Sequence, residues 1–301
     1  MKKLNKIYSV MALLAGFALT SCIEETFPEE GSATAEQIGE SSAALEASLS
    51  GIPSQMAQGY YVYGDQVHET DMAYPQFMIA QTELLGDMYP LGSNSGYDWY
   101  RNYNTASANF GDNSYFAYLP WFTLYRFVKA CNDVIITVNV EDEGVSDQLK
   151  GMAGAAYAMR AFDYYMLMVL FEPVANKYTD CSSVLGLTVP IVTETTGGEE
   201  SKNNPRVTHA ELMQFILNDL DIAERTLSKW TPSSKSIPDL SVVYAIRAKV
   251  HMWDEDYANA ATYARKAIDL AVANGAKPMT ADEWEDPTSA FARATAGWMW
   301  Y

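Results

Sequence analysis

Residues 241–274 place small and aromatic side chains in a pattern that a pair of packed helices buries. Tyr244, Ala248, Tyr257, Ala260, Ala264, Ala267 and Ile268 recur at helical spacing on either side of an acidic turn, Asp254-Glu255-Asp256. Alanines let helices approach closely, while tyrosine and tryptophan fill the gaps between them. One such pair cannot bury its apolar face alone, so neighbouring pairs must stack against it. The expected fold is therefore mainly α, made of stacked helical pairs.

The spacings of this unit are tetratricopeptide-like, and residues 121–171 follow the same plan less closely. Residues 121–138 put Trp121, Leu124, Tyr125, Val128 and Cys131 on one face, which assigns Trp121 and Tyr125 to the core. Residues 148–171 read as a long helix rich in Ala, Met and Tyr. Thr208-His209-Ala210-Glu211 is a capping box opening a helix that runs to Ser228, with Leu212, Ile216, Leu220, Ala223 and Leu227 inward. Thr34-Ala35-Glu36-Gln37 has the same spacing and predicts a helix over 35–49, stopped by Gly51-Ile52-Pro53. Residues 184–192 read as a short extended segment closed by Pro190, and 194–204 as a polar loop. Thr280-Ala281-Asp282-Glu283 caps one more turn before Pro287. The last residues, Trp298-Met299-Trp300-Tyr301, would be left exposed as an aromatic end, which is costly. We therefore expect more chain than these 301 residues, and the three aromatics read either as platform residues or as the start of a strand.

Residues 60–120 break the helical pattern. One short helix fits 73–85, and then Gly92-Ser93-Asn94-Ser95-Gly96 leads into Tyr97-Asp98-Trp99-Tyr100-Arg101-Asn102-Tyr103-Asn104. A loop of this length in a compact domain is functional or disordered, and its aromatic residues speak against disorder. Sugar rings offer C–H faces that aromatic rings cover, with hydroxyls at the rim for polar groups. Trp99 and Tyr100 are the candidate stacking platforms, with Arg101, Asn102 and Asn104 as hydrogen-bond partners and Asp87 as a further candidate. The plainer reading, in which Trp99 and Tyr100 pack the loop onto the helices, stands beside it.

The first 22 residues decide location. Lys2, Lys3 and Lys6 precede an apolar run over 7–18, too short to span a bilayer, and Leu19-Thr20-Ser21-Cys22 follows. Residues 1–21 read as a signal peptide, 22–33 as an acidic tether, and 34–301 as the helical domain. The formal net charge of −18 becomes more negative once the three lysines are removed. Nucleic acid is thereby excluded as a partner, and an anionic lipid face repels the chain. Of the two cysteines beyond Cys22, Cys131 sits inside an apolar helical pattern, which favours a buried thiol over a Cys131–Cys181 disulfide. His68, His209 and His251 are too dispersed for a ligand set, so no metal or cofactor is expected.

Four segments in order resemble the SusD/RagB family of Bacteroidetes outer-membrane nutrient-binding lipoproteins. They are the box ending at Cys22 with acids after it; Trp121-Phe122-Thr123-Leu124-Tyr125 with Asn132; residues 151–171 around Arg160-Ala161-Phe162; and Pro205-Arg206-Val207-Thr208 through Glu211, Ile216, Asp219, Leu220 and Ala223. The resemblance implies acylation of Cys22 and placement on the outer membrane facing the exterior. It implies capture of an oligosaccharide, or in some members a peptide, for a SusC-like TonB-dependent transporter, without catalysis. Family members are longer, so the chain looks like an N-terminal portion. Two other readings remain. A surface glycoside hydrolase needs a facing pair of carboxylates, and a tetratricopeptide-like scaffold would grip a protein segment.

Overall fold

The computed structural model describes residues 34–56, 61–62, 65–66, 115–177, 179–289 and 293–301. The elements are α1 (Ala35–Glu40), α2 (Ser42–Met56), β1 (Tyr61–Val62), β2 (Asp65–Gln66), α3 (Tyr115–Ile135), α4 (Asp147–Phe171), α5 (Gly198–Lys202), α6 (His209–Leu227), α7 (Leu240–Trp253), α8 (Tyr257–Ala273) and α9 (Ala281–Glu285). β1 and β2 form one two-residue antiparallel pairing, and the rest of the ordered framework is helical, as the sequence pattern requires.

The helix expected over 35–49 is two helices. The Thr34–Gln37 capping box forms, but α1 ends at Ser41, whose hydroxyl then accepts the Ala44 N–H at 3.3 Å to start α2. The break coincides with a close backbone crossing, since a Cβ on Gly39 would lie 2.1 Å from the Thr137 carbonyl oxygen. The expected stop at Gly51-Ile52-Pro53 does not occur either, and α2 continues through Pro53 to Met56. Proline costs a helix one backbone bond and a clash. Here Leu45, Leu49 and Ile52 are all buried, and keeping that stripe in register outweighs the lost bond.

α4 is the centre of the molecule. Ser146 caps it, accepting the Leu149 N–H, and its buried residues run from Gly151 to Met168 on nearly every side. α3 packs on one flank and α6 on the other, with α2 against both α3 and α4. α3 starts six residues earlier than expected, carrying Pro120 within it, and presents Leu124, Phe127, Val128 and Cys131 to the core. α6 buries the predicted Leu212, Ile216, Leu220, Ala223 and Leu227 behind a capping box formed as expected.

Residues 187–194 form an extended strap across this core. Leu187 pairs with Thr208, and the Thr188 N–H donates to the Val207 carbonyl at 2.8 Å. The Tyr125 hydroxyl donates to the Pro190 carbonyl, the Asn132 amide and the Tyr164 hydroxyl donate to the Val192 carbonyl, and the Val192 N–H returns a bond to Tyr164. Trp121 and Tyr125 are half-buried, Trp121 edge-on to Phe171 at 5.1 Å, so the core assignment of both holds.

α7 and α8 form a helical hairpin around the acidic turn, where Glu255 adopts a φ of +59° and Asp256 caps α8. Ala260 and Ala267 are buried against α7, but Tyr257 and Ile268 are 61% and 49% exposed, contrary to the inward positions expected for them. α8 is the outermost helix of the stack, and no described element covers its far side. At the end of the chain the expectation of an exposed aromatic cluster fails in part. Trp300 donates its ring N–H to the Ser236 carbonyl at 3.0 Å and packs edge-on against Phe162, while Tyr301 remains open. Cys131 and Cys181 are both free thiols, the first buried.

Candidate functional site

The candidate binding residues Asp87, Trp99, Tyr100, Arg101, Asn102 and Asn104, and the lipidation candidate Cys22, lie outside the described residues. The described residues on either side of positions 67–114 in the chain are the β1–β2 pairing and α3. The first turns of α3 carry Tyr118 stacked on Phe122 at 5.8 Å and Trp121 tilted against Tyr125 at 4.9 Å. These four rings are half-buried and pack against the core.

Below them sits the strongest electrostatic feature of the molecule. Arg160, on α4, makes two parallel 2.8 Å hydrogen bonds to Asp219 of α6, one of 2.7 Å to the Asn132 side-chain oxygen of α3, and one of 2.6 Å to Glu194 of the strap. Tyr157 and Phe215 flank the guanidinium at about 5 Å. A two-pronged guanidinium–carboxylate pair is the strong form of a charged hydrogen bond. Burial opposes both charges. The Asp219 and Glu194 bonds nevertheless hold Arg160 firmly cationic, while burial lifts the Asp219 carboxyl to about 6 against the pull of Arg160, leaving it ionised at neutral pH. Asn132, Arg160 and Asp219 were each singled out by sequence, in three separate segments; the structure brings them to one point. Glu194 was read as loop and was missed, although a buried arginine bonded to a single acid is short of partners.

One turn along α4, Asp163 is wholly buried beside the Cys131 thiol, 3.9 Å away, with its other oxygen unpartnered. Burial pushes both groups well above their ordinary values, so Asp163 is carried as a neutral acid. Held protonated, the Cys131 thiol is a poor nucleophile.

Among the described residues, two solvent-facing concavities stand out. Between α4 and the α7–α8 hairpin lies a groove of about 240 Å³ lined by Tyr165, Ala248, Lys249, Met252, Trp253, Ala260 and Ala264. Sequence reasoning passed over Trp253, Met252 and Lys249; the signal was a tryptophan and a methionine just ahead of a charged turn. A wider cup of about 430 Å³ is lined by Asp282, Glu283, Asp286, Ser289, Arg293 and Ala294–Ala296. Two of its three acids are already engaged, Glu283 with the Thr280 N–H at 2.8 Å and Asp286 with the Thr288 N–H at 2.9 Å. Among the described residues no group of three or more His, Cys, Asp and Glu converges to hold a metal ion, and no helix is long and apolar enough to cross a membrane.

The sequence model of a family, SusD-like_3, described as "Starch-binding associating with outer membrane", matches residues 56–252. A SusD-like carbohydrate-binding protein of Bacteroides vulgatus superposes with a TM-score of 0.65 at 21% identity, over 86% of this chain and 50% of its own. A SusD superfamily protein of the same species gives 0.61 at 18% identity, over 81% and 50%. A surface glycan-binding protein A from Bacteroides fluxus gives 0.52 at 16%, over 79% and 46%. The chain thus spans about half the length of these structures. No curated protein matches it.

Proposed function

The chain belongs to the SusD-like family of starch-binding, outer-membrane-associating proteins, and from that premise we propose that it is the capturing portion of a cell-surface glycan-binding lipoprotein. Its helical stack serves as a rigid base, and the aromatic segment around Trp99 and Tyr100 meets the sugar. Arg101, Asn102, Asn104 and Asp87 supply polar contacts at the ring edge. An acylated Cys22 tethers the protein to the outer membrane, facing outward, and the captured oligosaccharide passes to a SusC-like TonB-dependent transporter. No bond in the sugar is broken. The observation carrying this reading is the extent of the family match, which takes in residues 87–104 together with α3, α4 and α6.

The decisive experiment applies the chain beginning after Cys22 to a panel of immobilised polysaccharides, with circular dichroism as the folding control. Retention on at least one glycan, weakened roughly five- to tenfold by Trp99→Ala with the helix signal intact, is expected; stacking on one aromatic contributes roughly 1–1.5 kcal/mol. Release of reducing sugar would replace the reading with a surface hydrolase. A folded chain that binds no glycan would overturn it.

A second reading has one observation in its favour. Tyr257, Ile268 and Val272 lie exposed along one side of α8, an apolar stripe suited to a protein segment. Co-purification from outer membranes separates the two, since a large β-barrel partner supports the first and a soluble protein the second.

A further inference from the structure

Three helix ends meet at His209. It is the first residue of α6; Glu172 is the C-terminal cap of α4, and Asp254 is that of α7. The ring Nδ1 lies 2.9 and 3.0 Å from the two Glu172 carboxylate oxygens, and Nε2 lies 3.1 Å from an Asp254 oxygen. The His209 backbone N–H is also used, donating to the Gly186 carbonyl at 3.1 Å.

We propose that His209 is a pH-operated clasp: as an imidazolium it ties the ends of α4, α6 and α7 together, and as a neutral ring it lets one of them go. Hydrogen-bond capacity is the first argument. A neutral imidazole has one N–H and one lone pair, so a carboxylate facing each nitrogen leaves one anion pointed at a lone pair. Only the imidazolium satisfies both sides.

Helix dipoles are the second. Acids favour helix N-termini and cations favour C-termini. On their own helices all three groups stand at the wrong end, with a histidine opening α6 and carboxylates closing α4 and α7. Across the corner each stands at the right end of a neighbour. The imidazolium faces the negative ends of α4 and α7, and the two carboxylates face the positive end of α6. The three therefore support one another only while the ring is charged.

Burial lowers the His209 affinity for its proton, but the bonds to Glu172 and Asp254 outweigh it and leave the pKa above the ordinary 6.5. A basic group raised in this way stabilises the fold fully below about 6.5, and that stabilisation fades as pH climbs through the folded midpoint. The other titratable or charged groups beside these helix ends in the chain are Arg206 and Glu211 at the start of α6, and His251, Glu255 and Asp256 around the turn. Glu211 is held in its capping box and Asp256 lies 3.3 Å from His251. Midway along α7 the hairpin is fastened to α6 by Arg247, which reaches Asp221 and the Leu217 carbonyl and does not titrate in this range.

Imidazole NMR of the intact chain, followed from pH 5 to 9, tests the clasp; His209→Gln identifies the signal among three histidines. The His209 midpoint is expected above 6.5, and Glu172→Gln and Asp254→Asn should each lower it by roughly half a unit. The melting temperature should fall between pH 6 and 8 in the parent chain and hold level in His209→Gln. A midpoint at or below 6.5, or one that neither acid substitution moves, would overturn the proposal. So would an unchanged pH slope in His209→Gln. Should that variant fail to fold, the two acid substitutions decide the matter by the midpoint alone.

Discussion

α4 and α8 are both alanine-rich helices of the same stack, and they are held by opposite means. α4 is enclosed, with Met152, Met159, Leu167 and Met168 fully buried and two ionisable residues, the cationic Arg160 and the neutral acid Asp163, inside with them. α8 buries three alanines, Ala260, Ala267 and Ala271, and leaves Tyr257, Ile268 and Val272 in solvent. An enclosed helix must have every polar group matched within the protein, because water cannot reach it. An edge helix escapes that demand but has contacts on one side only. The core helix should therefore be sensitive to charge and volume, and the edge helix to the few side chains that reach across to it.

The largest effect tests the enclosed charge. Arg160→Met leaves Asp219, Asn132 and Glu194 without their shared donor in the core, and stranding one partner of a buried pair costs about 3–5 kcal/mol. Urea unfolding should show the midpoint dropping with the slope unchanged. Adding Asp219→Leu should restore part of the loss, since an apolar replacement of both partners removes the stranded charge. A single substitution costing under about 1 kcal/mol would mean that water reaches this site, and the contrast between the two helices would fail.

Volume comes next. A Cβ on Gly154 would lie 1.9 Å from the Thr226 hydroxyl oxygen and 3.0 Å from its Cβ. That hydroxyl is committed to the Ile222 carbonyl at 2.8 Å, so it cannot swing aside freely. Alanine is favoured over glycine by nearly 1 kcal/mol in an exposed helix, yet Gly154→Ala should destabilise by about 1–3 kcal/mol through overpacking. Thermal unfolding reads the sign, and Thr226→Ala in the same chain should relieve most of the loss. A net gain in stability would show that α4 and α6 are less closely packed than the geometry requires.

Local periodicity made most of the stack legible. The α6 stripe and all three capping boxes follow from residues within four positions of one another, and each stands where the sequence put it. Chain-distant facts were not legible. Pro53 is a local stop signal, but Ile52 beside it is needed in the core, and no pattern around residue 52 reveals that. Tyr257 and Ile268 carry the inward residue types of a repeat, yet whether anything covers them depends on what lies outside the hairpin. The Arg160 pairing spans 59 residues to Asp219. Sequence flagged both as members of motifs without joining them, because helix spacing says which face a residue occupies and nothing about which other helix that face meets. The binding candidates from Asp87 to Asn104 lie outside the described residues, so the reading of that segment rests on residue type and on the family match.

The smallest effect belongs to the edge. Arg247, on α7, donates to the Tyr263 hydroxyl of α8 at 3.0 Å, lies over that ring at 4.9 Å, and reaches the Leu217 carbonyl and Asp221 on α6. It resembles Arg160 in joining three helices through one guanidinium. The difference is solvent, for Asp221 is 65% exposed and its attraction is screened. Arg247→Met keeps the apolar stem and strands no buried acid, so its cost should be about 1–2 kcal/mol, mostly lost hydrogen bonds. Amide exchange should quicken in α7 and α8 while the slowest amides of α4 keep their protection, because a helical pair at the end of a stack can open without its neighbours. If protection in α4 fell as far as in α8, the hairpin would have to be part of the same cooperative unit as the core, and Arg160 and Arg247 would be doing the same task.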